Sequence, residues 1–426
     1  MSYFTWAIII LLATAPAWLF KKYLKMDTAG PIVLWKTKKG TGIVKKIAKF
    51  SFFTYLADLG LIFSFGLIGA YYLLFSKEHK YKLKHVLVMY FVFLASALIF
   101  TEPTAFAGKI THLDFIITLF TTGFGGFMFY SLLWSTWVVA YQYYIGTQPV
   151  PMVQPIIPGV DIPGAPIKVP LSALIGMVIL VIVHEFSHGV LAIREKIKLK
   201  TLGVATLGIF PIGAFAEPDE KQLEKTTPKK RMRVYSAGSM ANFLTAMIFL
   251  ALLIPSTALI NPSLMNDYST SIVTVTPGSP ADLAGLKPGM KIYGTSFIEQ
   301  PRIPNTPITL KTSEGEKTII RNEEGMIGIT YDTHFQLTSN QLSHWIKYYY
   351  LEIITWTFLL NLLVGMFNYL PFAIFDGAKL FEDLINFYDY KLRRKKDKTL
   401  SKKLLKGIFW IIVITFIINF LPYFIK

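Results

Sequence analysis

The chain has 426 residues, 53% of them hydrophobic and 16% charged, with a mean hydropathy of +0.46; its long uncharged runs exclude an ordinary soluble domain, and their length and lack of alternation exclude an outer-membrane barrel. The net charge of +17 would suggest nucleic acid in a soluble protein, but the lysines and arginines gather in short loops beside the apolar runs, where they set orientation and face lipid, so no nucleic-acid partner is expected. The chain has no cysteine, which excludes disulfides, thiolate metal sites and a cysteine nucleophile.

Runs of about 18 or more apolar residues read as membrane-spanning helices, because a backbone in lipid must satisfy its own hydrogen bonds. About eight spans are expected: Tyr3–Phe20, Ser51–Phe75, His85–Thr101, Phe115–Tyr144, Leu171–Ile193, Ser236–Ile260, Trp345–Leu370 and Leu405–Ile425. The first lacks a basic leader and a small-residue cleavage site, so it reads as a retained helix. The third is short. The fourth is long, and a tilt or a break near Gly123-Phe124-Gly125-Gly126 would accommodate it. Three loops are strongly basic: Lys21–Lys49 has nine lysines, Arg194–Arg233 ten basic residues and Lys391–Lys406 nine. Placing them in the cytoplasm puts both termini and the segment 261–343 outside. Lys77–Lys84, with four lysines, then falls on the wrong side, so the second half of this topology is better supported than the first.

The fold expected is therefore mainly α, a multi-pass cell-membrane protein with a small β-rich domain outside the membrane. Residues 1–166 form an N-terminal region of about four helices and a proline-rich loop. Residues 167–260 form a second helical region, 261–343 a soluble domain and 344–426 a C-terminal helical region. The loop Gly146–Pro170 is an extended strap, since proline fixes φ and removes donors. In the insert, SIVTV reads as a strand, TPGSPADLAGLKPGMKI as turn, short helix, turn and strand, and ITLKT-SEGE-KTIIR as a hairpin. On TPGSPADLAGLKPGM the insert resembles a PDZ domain. It departs from that pattern where a second helix would line the peptide groove: TSFIEQPRIPNTPIT has three prolines there.

VIVHEFSHGVLAI places two histidines and a glutamate after thirteen uncharged residues, Leu171–Val183. Each ionisable group in a span is costly and points to function. Residues four apart on a helix differ by about 40° of rotation, so His184 and His188 point the same way. Two neutral imidazoles at that spacing suit one Zn²⁺ ion, with Glu185 beside them as proton carrier. A hydrolytic zinc needs a third ligand. NYLPFAIFDGAKL offers Asp376 at the end of an apolar run with no other acid from Ile353 onward. Pro371 breaks the helix there and Gly377 permits the turn; a helix-capping role for Asp376 is the alternative.

With HEFSH, GIFPIGAFAEPDE, AGSMANF and NYLPFAIFDG in this order, the chain resembles the site-2 protease family of intramembrane zinc metalloproteases. The resemblance covers about Ile167 to the C-terminus. It implies that His184, His188 and Asp376 bind zinc, that Glu185 is general base and acid, and that Asn368 stabilises the oxyanion or positions substrate. It implies supporting roles for Gly238, Asn242, Gly213, Pro371 and Gly377, small-residue helix packing being nearly as good a reading for Gly238 and Asn242. GIFPIGAFAEPDE looks like the family's membrane-associated hairpin, which would pair with an unwound substrate segment. The family often has Gly-Gly after the ligand Asp, where this chain has Gly377-Ala378. The implied activity is peptide hydrolysis within or near transmembrane segments of membrane proteins, towards the cytoplasmic face. A catalytically silent adaptor holding helices and partners would not need Glu185. A metal transporter would need more acids along a path, and the other spans offer mainly Asp58.

Overall fold

The computed structural model describes residues 22–23, 27–29, 32–76, 81–101, 113–160, 167–207, 210–264, 267–294, 297, 300–332, 336–394 and 398–424. The first expected span, Tyr3–Phe20, lies outside the described residues. The chain opens with strands β1 (Asp27–Ala29) and β2 (Ile32–Thr37) and helix α1 (Thr41–Ile47). Helices α2 (Phe52–Phe75), α3 (Leu83–Thr101), α4 (Leu113–Tyr144) and α5 (Ala173–Arg194) follow. Strands β3 (Leu199–Leu207) and β4 (Phe210–Pro218), the short α6 (Glu220–Lys225) and the long α7 (Pro228–Leu264) come next. Then come β5 (Tyr268–Val275), α8 (Pro280–Leu283), β6 (Lys291–Tyr293), β7 (Pro307–Thr312), β8 (Gly315–Ile320), β9 (Ile329–Tyr331) and β10 (Gln336–Leu337). Helices α9 (Leu342–Phe367), α10 (Asp376–Arg393) and α11 (Thr399–Phe420) complete it.

Six described helices are long and apolar enough to cross a membrane: α2, α4, α5, α7, α9 and the segment beginning with α11. Six of the eight expected spans correspond to these helices, and the first expected span lies outside the residues searched. The third expected span corresponds to α3, whose apolar part, Leu83–Ile99, is shorter than the others. The long α4 is broken, with Gly123 at φ 63° and ψ −166°. α2 is broken too, at Phe65 and Gly66, where Gly66 has φ 55°. The two breaks meet: a Cβ on Gly66 would lie 2.7 Å from the Gly123 nitrogen, so neither position tolerates a side chain. The aromatic core runs inward from there. Phe124 stacks on Phe243 at 4.8 Å between centroids, and Phe243 on Tyr369 at 5.9 Å.

The Lys21–Lys49 loop contributes two strands that its charge concealed. They join the predicted hairpin in a four-stranded sheet ordered β1-β2-β3-β4. Trp35 sits opposite Val204, and Ala216 of β4 opposite Leu202 of β3. β4 is thus an edge strand, and it lies against α5. The second sheet, in order β10-β5-β6-β7-β8 with β9 also on β5, forms the soluble insert. The strands, short helix and hairpin read from its sequence are present. Alternation explains β7, whose residues are exposed and buried in turn, with Ile308 and Leu310 inward. β9 and β10 were missed, being too short to carry a pattern.

Candidate metal centre

α5 packs against α7, α9 and β4, and it ends where Lys196 adopts a left-handed φ of 66°. His184 and His188 project from one face of α5, their Nε2 atoms 3.1 Å apart. α9 stops at Asn368 because Pro371 removes the next helical donor. The chain then turns sharply, and the amide of Gly377 donates to the Asn368 carbonyl at 2.7 Å. A Cβ on Gly377 would lie 2.2 Å from the Tyr369 carbonyl oxygen, so this turn closes only on glycine. It delivers Asp376 as the first residue of α10, with Oδ2 at 3.3 Å from His184 Nε2 and 3.1 Å from His188 Nε2.

These three atoms form a nearly equilateral triangle. Three tetrahedral ligands at about 2.0–2.1 Å from Zn²⁺ stand about 3.3 Å apart, so the edges fit zinc. Among the described residues this is the one cluster of three His, Cys, Asp or Glu side chains with metal-ligating spacing. The outer ring nitrogens agree. His188 Nδ1 lies 2.7 Å from the Val234 carbonyl oxygen. A carbonyl only accepts, so Nδ1 carries the proton and Nε2 of the neutral ring keeps its lone pair. His184 Nδ1 lies 3.1 Å from the side-chain amide of Asn242. With the amide nitrogen towards the ring, the buried Asn242 Oδ1 has no partner. Turning the amide over would bring Oδ1 to the ring. An Oδ1 facing Nδ1–H gives His184 the tautomer that frees Nε2.

Val234 and Asn242 both belong to α7, and so does Gly238 between them. A Cβ at Gly238 would lie 2.5 Å from both Nε2 atoms. The bare backbone of this turn is therefore what lets α7 back the donor triangle.

The triangle opens into a cavity of about 420 Å³ that Glu185 and Asn368 also line. Glu185 Oε2 accepts the backbone N–H of Ala216, on the outer edge of β4, at 3.2 Å. The structure thus brings together His184, Glu185, His188, Asp376, Asn368, Gly238, Asn242 and Gly377. Pro371 is buried in the turn. Gly213 is different. It pairs with Ala205 in the middle of the hairpin, faces open space and does not line the cavity. Sequence reasoning missed the Val234 carbonyl, since any residue offers one, and Lys379 and Tyr235, which line the cavity beside Asp376.

The segment 172–415 matches the profile of peptidase family M50, from the residue before α5 to within α11. The chain belongs to peptidase family M50, the site-2 protease family of membrane zinc metalloproteases. It is also 27% identical over 248 residues to a protein of Methanocaldococcus jannaschii described as uncharacterized; the match takes in 54% of this chain and 61% of that relative. The chain therefore covers about three-fifths of that relative's length. Helices α2, α3 and α4 precede the M50 segment; α2 and α4 pack directly on it, Phe63 and Phe124 both meeting Phe243, while α3 packs on α2.

Proposed function

We propose that this M50 chain is an intramembrane zinc endopeptidase that hydrolyses bonds within or near transmembrane segments of membrane-protein substrates. One observation carries the reading: three lone-pair donors, His184 Nε2, His188 Nε2 and Asp376 Oδ2, converge at zinc spacing on a cavity that also holds Glu185. In this reading His184, His188 and Asp376 hold the metal, and two of them are oriented from behind by Asn242 and Val234. Zinc bound there would act as a Lewis acid and lower the pKa of its water to about 7.

Glu185 moves the protons. Its carboxylate takes one from the attacking water and returns it to the leaving amine. Its hydrogen bond from Ala216 places it against β4 without supplying a second proton donor. The amide of Asn368 lies on the same cavity wall and would orient the scissile carbonyl or its oxyanion. The outer edge of β4 suits an unwound substrate segment, which could add to the sheet as a fifth strand. Because α5 carries the donors near its basic end, the bond cut lies towards the cytoplasmic face of the membrane. Zinc binding alone gives no reason for Glu185, which disfavours a silent adaptor.

The test uses the full chain, loaded with zinc in lipid, and a model transmembrane substrate. Glu185→Gln should keep the metal and lower turnover by about 10²–10⁴-fold, the usual contribution of a general base. Equal cleavage by the wild type and this variant would overturn the assignment.

A further inference from the structure

One positive charge in the cavity has no part in this chemistry. Lys379 sits on the first turn of α10, three residues after Asp376, and lines the same cavity as Glu185. The other charged groups on that wall are all acids: Glu185, Glu220 and Asp376. On a helix, Lys379 would ordinarily pair with a carboxylate three or four residues along. Both such acids are already engaged. Asp383 is gripped by Arg231, with Oδ1 2.5 Å from Nη2 and Oδ2 3.1 Å from Nε. Glu382 faces Lys398 at 3.8 Å. Lys379 itself is exposed and forms no ion pair among the described residues. Its Nζ rests 4.9 Å over the ring of Tyr235, another residue of the cavity wall. A cation–π contact of this kind is weak where water reaches it. A carboxylate entering the cavity would replace it with a charge-assisted hydrogen bond.

We propose that Lys379 is a specificity-determining residue that binds a carboxylate of the substrate in the catalytic cavity. The proposal rests on the protease reading above. The carboxylate has two possible sources. One is an acidic side chain close to the scissile bond. The other is the carboxylate that hydrolysis itself leaves on the upstream fragment when water adds across the C–N bond and the amine departs. Both present the same two oxygens to Nζ. The ammonium can swing from Tyr235 without breaking any ion pair.

The experiment separates them. Transmembrane substrates carrying Glu, Gln or Lys at each position flanking the scissile bond are presented to the zinc-loaded full chain. Binding of the same peptides is measured on the Glu185→Gln variant, and so is binding of upstream fragments ending in a carboxylate or in an amide. Wild type should favour Glu over Gln at one position, or the free carboxylate over the amide, by about ten- to a hundredfold, as for a hydrogen bond to a charged group. Lys379→Met should flatten that preference, Lys379→Arg should keep it, and Lys379→Glu should turn the side-chain preference towards Lys. Zinc content and thermal midpoint report that each variant is folded. A folded, zinc-loaded Lys379→Met variant that retains the preference, or a wild type with none in either series, would overturn the proposal. The binding arm reads Lys379 even if no cleavage occurs, so failure of the protease reading and failure of this one are distinct.

Discussion

Two buried polar clusters lie within the helical body, and they are built on opposite plans. In the first, Arg233 of α7 grips Asp58 of α2 with both carboxylate oxygens, at 2.7 and 2.6 Å, and reaches Glu195 at 2.9 Å. Tyr81 donates to the same Asp58 at 2.6 Å. Acceptors and donors match, and the chain supplies its own cation. In the second, His184, His188 and Asp376 point three lone pairs at one another, with no donor of the chain between them. Such an arrangement repels itself unless a cation or a proton enters. A cluster that contains its own counter-charge fastens helices together. A cluster that omits it is built to take something from outside. The two meet on α7, where Arg233 is followed directly by Val234, whose carbonyl faces His188 Nδ1 at 2.7 Å.

If this contrast is right, substitutions should divide the two clusters cleanly. The largest effect is expected at Gly238. A methyl there would lie 2.5 Å from Nε2 of both His184 and His188. Gly238→Ala should abolish zinc binding, read by metal analysis of the purified protein, with the helical signal intact. Stoichiometric zinc in that variant would mean that the triangle is not the metal site. Asp58→Asn attacks the other cluster. It leaves Arg233 facing a neutral amide and should cost about 3–5 kcal/mol of stability, typical of breaking a buried pair. Thermal unfolding in detergent would show it. The folded fraction should still bind zinc, because no ligand or ligand partner changes. A zinc loss as large as that of Gly238→Ala would erase the distinction between clasp and ligand site.

The sequence made one of these clusters legible and hid the other. HEFSH is visible because its two histidines are four residues apart on one helix, inside a run where any charge is out of place. Asp376 is visible for the same reason, and so is the turn made by Pro371 and Gly377. The partners of Asp58 are not visible. Arg233 sits among ten basic residues of one stretch, and nothing local marks it as the one buried against α2. The sheet shows the same limit. The β3–β4 hairpin is expected only through the family resemblance of GIFPIGAFAEPDE, which covers β4 and not β3, whereas β1 and β2 come from a segment whose lysines look like a cytoplasmic loop. α10 was hidden by its mixed character. Leu380 and Leu384 are buried at a spacing of four while charges occupy the other faces, so it resembled neither a span nor a loop. Gly213 shows a motif glycine carried over by resemblance that the geometry leaves away from the cavity.

The smallest effect tests the contrast most finely, because it concerns a residue that touches the donor triangle without belonging to it. Asn242 is fully buried and its amide meets His184 Nδ1 at 3.1 Å. If the ring must keep Nε2 free, Asn242 acts by holding the proton on Nδ1. Asn242→Ala removes that hold but leaves all three ligands in place. Zinc affinity should fall about 10–100-fold, the usual cost of losing a partner behind a ligating histidine. Asn242→Asp, which can only accept when ionised, should retain much of the wild-type affinity. Competition with a chelator of known strength measures both. An Asn242→Ala variant that holds zinc as tightly as wild type would place this amide with Arg233, among groups that fasten helices, and would leave Val234 as the one oriented support of the site.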